Sequence, residues 1–195
     1  MQRGKRNFDA DPAETTAIAS GITALQGSVS DNATADQFCN QLSKIFQVQP
    51  TEVALLQLEK GCLKFLFPPQ LKTAGSIPVS SSSSIVAHTA MSRKAELYNN
   101  FPKVKHSSIF ETVKLGSPED NSTFTNPPIQ KLMSAPVLDE AGNVAGVLQI
   151  SRKGYDLASA GPDFSSEHLH QLERAAKLAS LAPFMKKRST AFSAK

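Results

Sequence analysis

Five consecutive serines, Ser80 to Ser84, run directly into the segment Ile85 to Ala90, and here the chain gathers side chains suited to holding a small polar molecule. A helix start leaves its first backbone N–H groups unpaired and carries the positive end of the helix dipole. Ser81, Ser82, Ser83 and Ser84 therefore stand where hydroxyls and amides meet a phosphate or carboxylate. The commoner role of such a run is a polar loop whose last serine caps the helix. His88 and Thr89 in that helix, with Tyr98 and Asn100 at the strand that follows, complete the candidate ligand contacts. Elsewhere the reactive residue types are poorly placed. His168 and His170, two apart on a helix, point to different sides and do not chelate, and His106 has no partner in sequence. Cys39 and Cys62 stand 23 residues apart, a spacing that fits no zinc, haem or redox motif, and read as reduced packing residues. Serines without a positioned base, and Asp139-Glu140 in a turn, supply neither a nucleophile nor an acid–base pair. The expectation is a protein with no enzymatic activity, no metal and no cofactor.

The elements that must position these groups can be read from periodicity and turn chemistry. Residues 1–11 read as a disordered basic tail. Pro12 opens a helix to residue 30 in which Ile18, Ile22 and Leu25 draw one apolar stripe, weakened by Gly21 and Gly27. Asn32 or Thr34 caps a second helix carrying Phe38, Leu42, Ile45 and Phe46. Thr51 to Phe67 reads as a hairpin about Lys60-Gly61, ended by Pro68 and Pro69. Short strands follow at Ile77 to Val79 and Glu96 to Tyr98, with the serine-led helix between them. Asn99 to Pro128 is a long polar connection with a helical turn expected at Ser107 to Leu115; loops of this length are usually functional or mobile.

The strongest signal is Gln130 to Lys153. Two apolar runs flank Asp139 to Asn143, where Gly142 supplies the positive φ of a short hairpin loop. In the second run Val144, Gly146, Leu148 and Ile150 fall on one face and Ala145, Val147 and Gln149 on the other. Both faces are mainly apolar, which suits a central strand covered on both sides. A final helix from Phe164 to Leu181, capped by Ser165 or Ser166, presents Leu169, Leu172, Ala176 and Ala179, and Pro183 ends it. The order of elements specifies an α+β domain with a mainly antiparallel sheet.

Composition adds bounds. With 195 residues, 40% hydrophobic and 19% charged, the chain supports one globular domain, and no apolar run nears the roughly 20 residues that span a bilayer. The amino terminus has basic residues but no apolar core behind them, so neither a signal peptide nor a membrane anchor is expected, and a cytoplasmic location is. The net charge of +4 belongs to the ends. Arg3, Lys5, Arg6, Lys186, Lys187, Arg188 and Lys195 carry 7 of the 21 positive charges; without them 14 remain against 17 acidic residues, a net of −3. Nucleic-acid binding is therefore not expected.

Several segments resemble the GAF domain family, the small ligand-binding modules of cyclic-nucleotide phosphodiesterases, phytochromes and bacterial signalling proteins. The resemblance covers about Asn32 to Leu181. It is carried by Ala135 to Lys153, with its small-Pro-Val, acidic turn and Gly-Val-Leu-Gln pattern, by Phe164-Ser165-Ser166-Glu167 ahead of the last helix, and by Ile85 to Phe101. It implies a GAF-like, PAS-related antiparallel sheet flanked by helices on both faces, over residues 31–182, with a helix at 12–30 before it and a basic tail at 183–195 after it. It also implies a sensory module that binds an unidentified small molecule between the sheet and Ser80 to Phe101. Output would pass through the terminal helices, a homodimer and a downstream signalling protein. Ile18, Ile22, Leu25 and Leu172 are the expected dimer contacts; a pure interaction module with a degenerate pocket is the alternative. Lys153 and Phe164 match the signature of cyclic-nucleotide-binding members, whereas Arg152 and His168 depart from it. Some GAF-like proteins reduce free methionine sulfoxide through a set of cysteines that Cys39 and Cys62 do not reproduce.

Overall fold

The computed structural model of the chain describes residues 12–29, 32–73, 75–104 and 127–186. The basic segments before and after these bounds, and the helical turn expected at Ser107 to Leu115, lie outside them. Helix α1 spans Pro12–Ser28 and α2 spans Ala35–Ile45. Thr34 closes a reciprocal capping box on α2: its Oγ1 accepts from Gln37 N at 3.2 Å while its own N–H donates to Gln37 Oε1 at 3.2 Å. Strands β1 (Val53–Glu59) and β2 (Cys62–Phe67) form the first hairpin, with Lys60 at φ 50° and Gly61 at φ 79° at its tip. Two successive positive φ angles match the right-handed strand twist and turn the chain in two residues. Strand β3 (Ser76–Pro78), helix α3 (Ile85–Ser92) and strand β4 (Glu96–Tyr98) follow, then β5 (Ile129–Leu138), β6 (Val144–Lys153) and helix α4 (Ser166–Leu181).

The six strands form one antiparallel sheet in the order β3-β2-β1-β6-β5-β4. Its long central hairpin is fixed by the loop chemistry read from sequence. Asp139 Oδ1 accepts from Asn143 N at 2.7 Å and Ala141 N at 3.0 Å, and Gly142 takes φ 79°. β6 then pairs with β1 from Val53–Ile150 to Gln57–Gly146. Gly146 sits at a close approach of those strands: a Cβ there would lie 2.0 Å from the Leu56 carbonyl oxygen.

Alternation along the strands sorts the core into two layers. Val53, Leu55, Met133, Ala135, Leu148 and Ile150 face α1, α2 and α4, whereas Ala54, Leu56, Leu132 and Val147 face α3. The sheet is therefore covered on both sides, as the doubly apolar β6 requires. Gly21 lets α1 lie against α2, since a Cβ on it would come within 2.8 Å of Ile45 Cγ1. The glycine that weakens α1 as an isolated helix is what lets it pack.

The structure corrects one expectation here. Ile18, Ile22, Leu25 and Leu172, expected at a dimer interface, are each at most 3% exposed and belong to the core of their own chain. An apolar helical stripe looks the same in sequence whether it covers a second copy or its own sheet. Here its own helices lie closer, and the α1 stripe packs against α2 and α4 in the core of the same chain. The segment after α4 is also drawn in: Met185 is buried, and Gln57 Nε2 donates to its carbonyl at 3.2 Å. Among the described residues no helix is long and apolar enough to cross a membrane.

Candidate functional site

The residues singled out from sequence gather on the α3 face but do different things. Ser84 caps α3, its Oγ accepting from Ala87 N at 3.5 Å. Ser81 and Ser83 share a hydroxyl contact at 3.4 Å, Ser82 is exposed, and the Ser81 and Ser84 amides are spent on Pro78 O and Ser81 O. The serine run thus closes its own turn and caps a helix, and no anion-binding role is drawn from it.

Thr89 is fully buried and ends a directed chain of hydrogen bonds. Its Oγ1 donates to Ile85 O at 2.9 Å and therefore has no proton left for Ser134 Oγ, 2.7 Å away. Ser134 must be the donor in that pair, and Ser134 Oγ in turn accepts from Gln149 Nε2 at 3.0 Å. Gln149 on β6, Ser134 on β5 and Thr89 on α3 form a relay from the middle of the sheet to the helix backbone. None of the three is more than 3% exposed. Sequence reasoning named Thr89 and missed the other two; polar residues at 134 and 149 in otherwise apolar, doubly buried strands were the available signal.

A more open group lies at the rim. Glu96 on β4 accepts from the Tyr98 hydroxyl at 2.8 Å and stands 3.3 Å from His88 Nε2. Burial first, and the hydrogen bond to Glu96 second, hold the Tyr98 phenol above its ordinary range. The phenol stays neutral and keeps donating. The Tyr98 ring meets Phe101 edge-on at 6.3 Å, which closes one side of this rim with aromatic surface. Asn100 is half-buried at the start of the 3-10 turn Phe101–Lys103, and its side chain makes no cap. Its neighbour Asn99 makes the specific contacts instead. Asn99 Nδ2 donates to Phe164 O at 2.8 Å and its Oδ1 accepts from Phe164 N at 2.9 Å. That pair clips the end of β4 to the residue entering α4, 65 positions away, and nothing local in the sequence announces it.

On the opposite face a cleft of about 680 Å³ opens between α1, the corner at Gln47 to Glu52, the end of β6 and residues 159–162. It lies away from every ligand contact expected from sequence. Arg152 borders it, with its guanidinium carbon 4.7 Å from the centre of the Phe164 ring. The buried His168 also meets Phe164, ring to ring at 6.3 Å and near-perpendicular. His168 Nδ1 accepts from Ser165 N at 3.2 Å while Ser165 Oγ accepts from His168 N at 3.2 Å, a capping box that opens α4. Desolvation leads the lowering of the His168 pKa, so the ring is kept neutral with Nδ1 free to accept. Cys39 is fully buried, and burial, then the nearby Asp36 carboxylate, pushes its thiol well above the usual range. Cys62 is half-buried at the start of β2, and both cysteines are free thiols. Among the described residues no three His, Cys, Asp or Glu side chains gather as a metal site.

A family model of the GAF domain matches residues 32–182. Solved structures similar to this chain include the GAF domain of a phosphoenolpyruvate-protein phosphotransferase from Coxiella burnetii. That likeness has a TM-score of 0.59 and 10% identity over 86% of this chain and 94% of that one. The GAF domain of the corresponding Acinetobacter protein gives a TM-score of 0.54 and 16% identity over 86% and 89%. Free methionine-R-sulfoxide reductase from Neisseria meningitidis, in complex with its substrate, gives 0.57 and 12% identity over 92% and 95%. Among curated proteins none matches the chain in sequence. The reductase overturns the expectation that this chain is not an enzyme. An enzyme is built on the same fold, so the missing nucleophile–base pair in this sequence does not decide the question. At 12% identity the likeness shows the fold and not the reaction.

Proposed function

As a member of the GAF domain family, the chain is, we propose, a sensory module that binds a small molecule against the α3 face of its sheet. One observation carries the reading: polar groups from α3, β4, β5 and β6 converge on that face, with the buried Gln149–Ser134–Thr89 relay beneath the open Glu96–Tyr98–His88 rim. A few fixed polar groups set in apolar surface are what orients a small ligand. The relay is already satisfied, so its part is to hold α3 in place. The rim supplies the recognition, with the Glu96 carboxylate accepting from a donor on the ligand and Tyr98 and His88 framing it.

Binding here reaches the other face through the Asn99 clip. A ligand that shifts β4 moves Asn99, and with it the backbone of Phe164 at the entrance to α4. The output is then a change in how α4 and α1 pack, passed to a partner signalling protein and through a homodimer formed by the outer surfaces of these helices. Two free thiols support a cytoplasmic setting. The second reading, an interaction module with a degenerate pocket, is favoured by the relay itself, in which the hydroxyl protons of Ser134 and Thr89 are both spent inside the protein. Isothermal titration with a panel of nucleotides, amino acids and other polar metabolites separates them. The sensory reading expects a binder whose affinity falls on Glu96→Gln and Tyr98→Phe, with Asn99→Ala leaving affinity within a few-fold. A full panel without binding, alongside a homodimer seen by light scattering, supports the interaction module instead.

A further inference from the structure

We propose that the cleft beside α1 is a second site, for the oxyanion end of a small metabolite, with Arg152 and Lys153 as its donors. It is independent of the α3-face reading, from which it is separated by the sheet. The guanidinium of Arg152 has a side chain only 7% exposed and can donate five hydrogen bonds. Among the described residues its one close hydrogen bond runs from Nη1 to Pro162 O at 2.7 Å. Its Nη2 reaches Glu14 Oε1 only at 3.5 Å, and its Nε has no partner among the described residues. Stacking on Phe164 offsets part of the lost hydration, but a buried cation left this loosely paired is costly.

The neighbouring cation is no better neutralised. Lys153 Nζ donates to Thr51 O at 2.9 Å, a neutral carbonyl. The carboxylate beside it, Glu52, is spent on backbone amides: Oε1 accepts from Lys153 N at 2.6 Å and Oε2 from Gln49 N at 2.7 Å. Burial, opposed by Glu52, lowers the pKa of the Lys153 ammonium. Two adjacent desolvated cations thus stand among the carboxylates of Glu14, Glu52 and Asp163, at the mouth of an open cleft lined by both cations. Of these carboxylates, Glu14 pairs with Arg152 only at 3.5 Å and Glu52 is engaged by backbone amides. The position of Glu14 Oε1 marks where an acceptor sits. A phosphate or carboxylate entering there accepts from the guanidinium edge with a shorter, two-pronged contact than Glu14 provides. The cleft volume of about 680 Å³ leaves room for the body of a metabolite behind such a group.

The test uses the full chain with two probes, inorganic phosphate and acetate, titrated against chloride at matched ionic strength and followed by isothermal titration and amide NMR shifts. Binding of either probe over chloride, with shifts at Gln49, Lys153 and Gly161, supports the site, and the preferred probe tells a phosphoryl from a carboxylate ligand. Glu14→Gln removes the competing carboxylate and strengthens binding by about tenfold, the order expected for one nearby charge. Lys153→Gln weakens it by a similar factor, and Arg152→Gln abolishes it. Should Arg152→Gln fail to fold, the opposed effects of the other two variants carry the test. Equal response to chloride, shifts confined to other surfaces, or Glu14→Gln leaving affinity unchanged would overturn the proposal.

Discussion

Replacing Ser134 by alanine tests whether the α3 face is organised as a directed relay. The substitution removes the acceptor of Gln149 Nε2 and the donor to Thr89 Oγ1, while Thr89 keeps its bond to Ile85 O. Each lost hydrogen bond is worth about 1 kcal/mol net, and an amide N–H left unpaired at a site 3% exposed adds desolvation of about 1 kcal/mol. The expected loss is therefore about 2–3 kcal/mol, or a fall in Tm of about 5–10 °C for a chain of this length. Urea unfolding followed by circular dichroism at constant m-value measures it. The relay also predicts non-additivity. Adding Gln149→Leu removes the orphaned donor, so the double variant should be more stable than the two single losses summed by about 1 kcal/mol. A Ser134→Ala loss below about 0.5 kcal/mol, or strict additivity of the pair, would refute the directed chain.

Three further substitutions probe the scaffold. Gly146→Ala forces β6 away from β1, because its Cβ would fall 2.0 Å from Leu56 O, and should cost about 3 kcal/mol or more by thermal unfolding; an unchanged Tm would contradict the close approach. His168, whose pKa lies below its unfolded value of about 6.5, binds no proton in the native state where the unfolded chain already does, so stability should drop as pH falls below that point. His168→Gln keeps an acceptor for Ser165 N and should flatten this acid limb between pH 7 and 5, whereas an identical pH profile would remove His168 as its source. Asn99→Ala loses both bonds to Phe164 and should cost about 1–3 kcal/mol, with faster exchange at the Phe164 amide; protection equal to the parent would mean that the clip does not hold α4.

What was legible in the sequence was local. Gly142 with its flanking Asp139 and Asn143, Lys60-Gly61, Thr34 and Ser165 each fix a turn or a cap within a few residues, and each appears where the spacing puts it. The apolar alternation on β6 likewise foretold helices on both faces. The remainder depends on what meets across the fold. Gly21 reads as a weak spot until Ile45 is seen against it, and the Ile18 to Leu25 stripe cannot say whose surface it covers. Asn99 and Asn100 are indistinguishable in sequence, yet one grips a backbone 65 residues away and the other makes no cap. Arg152 and His168 read as departures from the cyclic-nucleotide pattern; the structure sets both against Phe164, where one stacks on the ring and the other caps α4.

The central claim is that a small molecule is held on the α3 face, and amide NMR of the full chain titrated with the metabolite panel tests it most directly. The account predicts a panel member whose shifts form one patch over His88, Thr89, Glu96, Tyr98 and Ser134, with a weaker trail through Asn99 to Phe164. A panel that leaves those amides unmoved, or moves only residues lining the Arg152 cleft, would contradict it.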